Sequence, residues 1–324
     1  MKKGSGRFLI AAELALGMAV VVLMFLMFRE GPPAQRVAVI LTDSESGAWA
    51  SFRAGVKAAA ADRGLSVVFV NTEGMEDGAG LRAVVWEAYA DGAQALLVQP
   101  PPGDEAAAAL QEAAKRIPVL LVQSACSSDT GLFCVAADGE AMGRALAAQM
   151  AEDYGGALAE KTIGILGEEA PNATEQAALC GLCAGLAESG GRVLWTRGVP
   201  PREEEAAAVA AAAPYVDLAA ALTTRTLELA GACAEDKSLR GTALYGIAAS
   251  EKAYYYLDHE FVRGLIVPDG FAMGYRSLGQ LADALAHPRR RTAALHDERT
   301  AWRPLRRKEL FDEENQELLF AYEE

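Results

Sequence analysis

Short apolar runs alternate with amphipathic segments along most of the chain from residue 36 onward. The first run, 36–42, is continuously apolar, which is typical of a parallel strand buried on both faces. Similar runs predict strands at 66–71, 95–99, 119–123, 162–166, 192–196, 218–223, 243–247 and 265–267. The segments between them predict helices at 48–63, 80–90, 104–115, 140–151, 173–189, 203–212 and 271–286, with others starting near 226 and 250. This order predicts an α/β protein with parallel sheets.

The alternation of strand and helix occurs as two successive series. The first series ends near residue 123, and the segment 135–138 is the natural crossing to the second. Each series has the order of a doubly wound Rossmann-like unit. The pattern therefore predicts two α/β lobes.

The first thirty-five residues have a different pattern. Residues 1–7 carry Lys2, Lys3 and Arg7, and the apolar segment 8–28 has Glu13 as its charged residue. A segment of this length can cross the bilayer core of about 30 Å. We therefore predict a retained single-pass transmembrane anchor at 8–28, followed by a linker at 29–35. The positive charge before the segment predicts a cytoplasmic N-terminus and an extracytoplasmic remainder at the cell membrane. A cleaved signal peptide is the alternative.

The charge of the chain argues against one class of partner. Its 30 Lys and Arg residues against 44 Asp and Glu residues give a formal net charge of −14. This charge repels a phosphate backbone, so nucleic acid is not an expected partner.

The cysteines and histidines do not predict a metal site. The three histidines lie far from the Cys180/Cys183 pair, so no zinc site is predicted, and no cofactor is expected. Cys126 and Cys134 flank a short segment and form either a loop-closing disulfide or two buried thiols.

Motifs typical of catalysis are not recognised in the sequence. We find no G-x-S-x-G elbow, phosphate-cradling glycine loop or paired His/Cys nucleophile at a predicted strand end. The sequence therefore favours a binding protein over an enzyme, with no catalytic residues assigned.

Ligands of open parallel sheets bind beyond the carboxyl ends of the strands, where helix N-termini and loops converge. Each polar candidate there has an alternative role: the acids can cap a helix, the amides can cap the sheet, and the indole can pack between helix and sheet. The candidates are Asp43, Glu45, Trp49, Gln99, Gln123, Ser124, Thr223 and Asp269.

Several segments resemble type 1 periplasmic binding proteins of the ribose-binding group. They are VAVILTDSESGAWASFRAGVKAAAADRGLSVVFVNTEG, DGAQALLVQPP, IPVLLVQS, VAADGEAMGRALA and DGFAMGYRSL, and the resemblance covers about 36–286. It implies two lobes joined by three crossings that close over a solute. It also implies an N-terminal lobe of 36–137 plus about 269–294 and a C-terminal lobe of 138–268 plus about 295–324.

The charged residues with which this family grips sugars are mostly replaced. The family's acidic residue and arginine after the fourth strand fall on Gln123 and Ser124, and a second arginine falls near Glu175 or Gln176. By this resemblance, an Asn-Asp pair of the family is replaced by Thr223-Thr224, an aspartate by Ala248 and a hinge glutamine by Pro268. Trp49 matches a family aromatic residue, and Asp138 matches a position that is usually structural. Glu175 thereby joins the candidate ligand-binding residues.

The resemblance implies solute capture by hinge closure for an ABC importer. With Asp43, Glu45 and Glu175 near the cleft and no arginine placed there, we expect a cationic or sugar-like polyhydroxylated solute rather than an anionic one. The alternative is a membrane-tethered sensory protein that partners a histidine kinase, with altered or lost solute binding.

Overall fold

The computed structural model describes residues 35–44, 46–70, 72, 77–124, 131–156, 158–287, 293–313 and 315, together with Met18. By its internal contacts the chain divides into two units, Met1–Gln35 and Arg36–Glu324. Apart from Met18, the predicted anchor at 8–28 lies outside the described residues. A search of the described residues finds no helix long and apolar enough to cross a membrane. All strands and helices named below belong to the second unit.

The first sheet is six-stranded in the described residues and entirely parallel. Its order is β11-β5-β4-β3-β1-β2. The strands are β1 (Arg36–Ile40), β2 (Ser66–Phe69), β3 (Ala95–Val98), β4 (Val119–Val122), β5 (Phe133–Ala137) and β11 (Glu298–Thr300). The strands β3 and β4 are fully buried, because helices cover both faces of the sheet.

The second sheet is also six-stranded in the part of the chain that the structure describes, with the order β12-β10-β9-β8-β6-β7. Its strands are β6 (Thr162–Glu168), β7 (Arg192–Val199), β8 (Leu218–Ala221), β9 (Ala243–Ile247), β10 (Gly264–Pro268) and β12 (Trp302–Leu305). All neighbours run parallel except β10 and β12, which pair antiparallel. The predicted α/β class with two Rossmann-like parallel sheets is therefore confirmed.

The helices connect the strands and cover the sheets. They are α1 (Ala50–Arg63), α2 (Gly78–Ala90), α3 (Asp104–Ala114), α4 (Gly139–Glu152), α5 (Ala173–Glu188), α6 (Glu203–Ala211), α7 (Thr224–Glu235), α8 (Glu251–Asp258) and α9 (Gly270–Ala286). Several begin directly after a strand or its loop, where a polar side chain accepts the N–H three residues ahead. Asn172 does so for Glu175 at 3.0 Å, and Ser250 for Ala253 at 3.2 Å.

The chain crosses between the sheets at three points within the described residues. Asp138 leads from β5 of the first sheet into α4, which packs on the second. Asp269 leads from β10 of the second sheet into α9, which packs on the first, and Ala301 joins β11 to β12. The Asp269 N–H donates to the Ala301 carbonyl oxygen at 3.0 Å, which ties two crossings together. Because β5 and β10 both end at a crossing, the carboxyl ends of both sheets lie on the side of the crossings.

The two crossing helices begin with the same motif, Asp-Gly-x-Ala-Met-Gly, at 138–143 and at 269–274. In each copy the aspartate caps the helix, since Asp138 accepts from Ala141 N at 3.0 Å and Asp269 accepts from Ala272 N at 2.8 Å. The methionine of each copy is buried in the lobe that the helix joins.

The glycines of this motif let two helix backbones touch. A Cβ atom at Gly143 would lie 2.0 Å from the carbonyl oxygen of Ala178 on α5, and one at Gly274 would lie 2.2 Å from that of Phe52 on α1. No side chain fits at that distance. Each crossing helix is therefore held against the first helix of the lobe that it enters.

The C-terminal strands differ from the predicted lobe boundary. The resemblance assigns residues from about 295 to the C-terminal lobe, whereas β11 at Glu298–Thr300 pairs with β5 in the first sheet. The chain enters the second sheet only at β12. Both strands escape prediction because they are short and their sequence, ERT followed by WRPL, lacks an apolar run.

Helix α9 offers a matched pair of glycines. We expect Gly274→Ala to destabilise the protein by about 2 kcal/mol or more, because the added methyl group meets backbone. Gly279→Ala lies in the same helix with nothing within 4 Å of the added methyl group, so it should stabilise the protein by about 0.5 to 1 kcal/mol. Urea unfolding of both variants measures the difference, and equal effects would contradict the proposed helix contact.

Candidate functional site

The carboxyl ends of β3 and β4 carry a pair of amide side chains. Gln99 is 8% exposed, and its Oε1 accepts from the Thr42 backbone N–H at 3.1 Å. Its Nε2 donates to Oε1 of Gln123 at 3.3 Å. Gln123 is half-buried and has a left-handed backbone with φ of +50°. The pair connects the ends of three neighbouring strands and brings two of the predicted site residues together.

The loop between β1 and α1 is held by an arginine that sequence reasoning did not select. Nη1 of Arg53 donates to the carbonyl oxygens of Ser44 at 2.6 Å and of Ser46 at 3.0 Å. Asp43 is exposed, with a φ of +51°, and its carbonyl oxygen accepts from Ser46 N at 3.0 Å. The predicted Glu45 lies outside the described residues.

Trp49 lies in the first-lobe core rather than on the surface. It is 7% exposed, its ring meets Phe52 edge to face at 5.3 Å, and its indole N–H donates to the Thr42 carbonyl oxygen at 3.2 Å. The structure therefore shows helix-to-sheet packing, the alternative considered for this residue.

Ser124 follows the amide pair and bonds to a thiol. Its N–H donates to Sγ of Cys134 at 3.4 Å, and that Sγ lies 3.3 Å from the Ser124 carbonyl oxygen. Its backbone thus joins the end of β4 to β5, whereas Cys126 lies outside the described residues.

The second lobe places a carboxylate network at the ends of β6 and β8. Thr223 Oγ1 donates to Oε1 of Glu168 at 2.9 Å, and the Arg225 guanidinium bonds Oε2 of Glu168 and the carbonyl oxygen of Pro200. Burial raises the pKa of Glu168, while Arg225 and the Thr223 hydroxyl act in the opposite direction. The Glu168 side chain keeps 24% of its surface exposed, so it can meet a ligand.

Glu175 lies beneath this network. It is 5% exposed, and its Oε1 accepts from the Glu168 backbone N–H at 2.7 Å. Burial raises the pKa of Glu175 to about 7; the bond from the Glu168 N–H and Arg225 lower it, and the charge of Glu168 raises it. The structure thus places this predicted ligand residue under the strand end and not at its surface.

Asp269 is used by the crossing itself. Its carboxylate caps α9, and its N–H bonds Ala301 across to the third crossing. Ala248, which replaces a family carboxylate, is fully buried at the end of β9. Asp269 is thus engaged as a helix cap, and Ala248 carries no charge.

Two arginines that bond near these strand ends are missing from the sequence-based selection. The expectation that no arginine lies near these strand ends is wrong, because Arg53 and Arg225 both bond there. Their signal is positional: each lies in the first turn of a helix that follows a strand end. The charge of Arg225 is compensated by the Glu168 carboxylate, whereas Arg53 bonds the neutral carbonyl oxygens of Ser44 and Ser46.

A cavity of about 730 Å³ lies elsewhere in the second lobe, near the end of α4 and the start of β10. Its charged lining pairs internally, as Arg306 with Asp153 at 3.1 Å and Arg307 with Glu260 at 2.7 Å. It lies at the amino end of the sheet, so it shares none of the predicted residues. Within the described residues, no group of three or more His, Cys, Asp or Glu side chains is arranged to hold a metal ion.

Comparisons with known proteins agree with this geometry. A family profile described as a periplasmic binding protein domain matches residues 37–288. No curated protein matches the sequence.

Solved structures with the same fold are distant in sequence. A carbohydrate transporter solute binding protein from Agrobacterium radiobacter, in complex with D-arabinose, has a TM-score of 0.77 at 19% identity, covering 89% of this chain and 100% of that one. The Caulobacter myo-inositol binding protein bound to myo-inositol has a TM-score of 0.75 at 16% identity, covering 89% and 99%. The XylFII-LytSN complex gives 0.71 at 15% identity, covering 86% and 99%.

The pKa of Glu175 predicts how stability depends on pH. The pKa of this carboxyl group rises from 4.5 to about 7 on folding, so between pH 4.5 and 7 the folded protein binds a proton that the unfolded chain does not. The contribution of this proton to the free energy of unfolding is therefore full below pH 4.5 and is lost as the pH rises through 7. The free energy of unfolding of Glu175→Gln, relative to that of the wild type, should therefore increase by roughly 2 to 3 kcal/mol between pH 4.5 and pH 8. Urea unfolding at both pH values measures this, and an unchanged difference would contradict a buried neutral Glu175.

Proposed function

Because this chain belongs to the periplasmic binding protein domain family, we propose that it captures a small polyhydroxylated solute between its two lobes. In this proposal the protein works outside the cytoplasm, anchored by residues 8–28, and delivers the solute to an ABC importer. It binds without catalysing a reaction. The solute contacts both lobes and so favours the closed arrangement.

The arrangement of the crossings is the observation that carries this proposal. The peptides at Asp138, Asp269 and Ala301 connect the sheets, while the helices beside them are clamped to their lobes through glycine contacts. Rotation is therefore confined to a few residues, as hinge closure requires. The carboxyl ends of both sheets lie beside these peptides, where a solute would be enclosed.

The chemistry of the strand ends favours hydroxyl groups. The Gln99 and Gln123 amides offer donors and acceptors, and the part-exposed Glu168 carboxylate accepts hydrogen bonds. Arg225 is paired with the Glu168 carboxylate, which disfavours an anionic solute at the second lobe. The solved relatives with D-arabinose and myo-inositol are consistent with a sugar or cyclic polyol.

A thermal-shift experiment tests this function. The full chain is heated with D-arabinose, myo-inositol, other sugars, sugar acids and amines, and a ligand at 100 times its dissociation constant should add about 2.7 kcal/mol of stability. We expect a neutral polyol to raise the melting temperature, while no change with any member of the panel would contradict the proposal.

The amide pair at the ends of β3 and β4 can be tested with a matched control variant. In Gln123→Asn the side chain keeps its amide group but is one methylene group shorter, so the hydrogen bond to Gln99 is lost. Asparagine tolerates the left-handed backbone at this position. We expect its affinity for the stabilising sugar to fall about tenfold, the effect of losing one or two hydrogen bonds. Gln94→Asn changes an exposed amide at the opposite end of β3 and should leave affinity unchanged. Equal affinities in calorimetry would exclude the amide pair from the site.

A second candidate function is membrane-tethered sensing with a partner protein such as a histidine kinase. The XylFII-LytSN complex supports it, because a protein of this fold there associates with a second protein. The genes beside this one separate the candidates: permease genes favour import, and genes for a two-component sensor favour sensing.

The proposed topology has its own test. A fusion of alkaline phosphatase to residue 324 should be active, because this enzyme folds outside the cytoplasm. A fusion of green fluorescent protein to the same residue should not be fluorescent when it is exported through the same pathway. Moving Lys2, Lys3 and Arg7 to the other side of the apolar segment should reverse the orientation. A fluorescent fusion of the unaltered chain would contradict the extracytoplasmic location.

A further inference from the structure

Glu175 combines deep burial with an unpaired oxygen. The residue is 5% exposed, its Oε1 accepts from the Glu168 N–H at 2.7 Å, and its Oε2 is buried without a hydrogen-bond partner among the described residues. A buried carboxylate oxygen without a donor is costly, whereas a protonated one removes the charge. The geometry of Oε2 therefore favours the neutral acid.

The strand end is shaped around this carboxyl group. A Cβ atom at Gly167 would lie 2.6 Å from Oε1 of Glu175, so the glycine lets this carboxyl group lie close against the backbone of β6. The next residue, Glu168, donates its backbone N–H to Oε1 of Glu175, and its own carboxylate bonds Thr223 and Arg225. Glu175 thus fixes the backbone from which the exposed Glu168 side chain extends.

We propose that Glu175 is a positioning residue for Glu168, and that one proton on its carboxyl group couples solute binding to pH. This inference rests on the proposed function, in which the solute meets Glu168 at the end of β6. Glu175 itself does not touch the solute. It acts through the shape and charge of the strand end.

Competition for one arginine supplies the mechanism. While Glu175 is neutral, the Arg225 guanidinium is engaged by Glu168 and the Pro200 carbonyl oxygen. When Glu175 ionises, its charge repels Glu168 and attracts Arg225, and the unpaired Oε2 draws a donor toward it. Either response displaces Glu168 from its arrangement. The pKa of Glu175, raised by burial to about 7, places this change in the neutral range.

The charges around Glu175 come from several elements. Glu168 lies on β6, and Arg225 lies on α7. On α4, which packs against α5, Asp138 caps the helix, and Arg144 pairs with Glu140 at 3.4 Å and with Glu188 of α5 at 2.9 Å. Arg225 is therefore the cation that acts on both Glu168 and Glu175.

The proton can be followed without any solute. In the full chain, the ¹H–¹⁵N signal of the Glu168 amide, which donates to Glu175, should shift with a midpoint near pH 7. The shift should vanish in Glu175→Gln, whose amide keeps the acceptor and remains neutral, and should persist in Glu188→Gln, an exposed change on the same helix. A Glu168 amide that does not titrate, or titrates equally in Glu175→Gln, would overturn the proton site.

Calorimetry then tests the coupling, with D-arabinose and myo-inositol as probes from pH 5.5 to 8.5. We expect the wild type and Glu188→Gln to lose about tenfold in affinity as pH rises, within the usual range of coupling between two sites. Glu175→Gln should bind at pH 8.5 as tightly as the wild type at pH 5.5, which a merely structural role would not produce.

The outcomes separate the two hypotheses. Binding of a probe with the same affinity at every pH in the wild type overturns the coupling and leaves the proposed function standing. No binding of either probe at any pH, with the thermal-shift panel also inactive, overturns both. A pH dependence that persists in Glu175→Gln shows that another group is responsible and overturns the role of Glu175.

Discussion

The contact between helix backbones at the two crossings is the constraint on which the rest of the structure depends. At Gly143 and Gly274 a carbonyl oxygen of the neighbouring helix occupies the place of a side chain. Each crossing helix is therefore part of the lobe that it enters, although the preceding strand belongs to the other. Asp138, Asp269 and Ala301 are the points at which the chain passes between the sheets, outside these helix contacts. The same contacts bring the strand ends of both sheets to the crossings.

The polar groups at these strand ends are arranged differently in the two lobes. In the first lobe, neutral amides bridge three strands and Arg53 is engaged by loop carbonyl oxygens. In the second, two carboxyl groups share the influence of Arg225, and burial raises the pKa of the deeper one, Glu175, to about 7. The charge of Arg225 is paired with a carboxylate, whereas Arg53 donates to neutral carbonyl oxygens.

Most of the fold could be predicted because it depends on local patterns. Buried parallel strands such as β3 and β4 are continuous apolar runs, and the helices between them begin at recognisable caps. The strands β11 and β12 could not be recognised in this way. They are three and four residues long and carry charged side chains, and their positions are set by pairing with β5 and β10, which are distant in sequence.

The candidate site was less predictable, because depth below a surface is a tertiary property. The sequence places Trp49 and Glu175 at strand ends, but packing buries the first in the core and the second under Glu168. Arg53 and Arg225 lie a few residues inside helices, so a search restricted to strand ends overlooks them. Gln99 and Gln123 were predicted to lie at strand ends because each follows an apolar run, and the structure brings their side chains together there.

The exchange of elements at the crossings also governs when this protein can finish folding during synthesis. The first sheet needs β11, and its core needs the apolar face of α9, yet both are translated after nearly all of the second lobe. The second sheet in turn waits for β12. Until about residue 305 has left the ribosome, each half of the nascent chain exposes apolar surface that its own earlier segments cannot cover. Contacts of such long sequence separation form slowly, so the emerging protein needs protection from aggregation until its last strands are made.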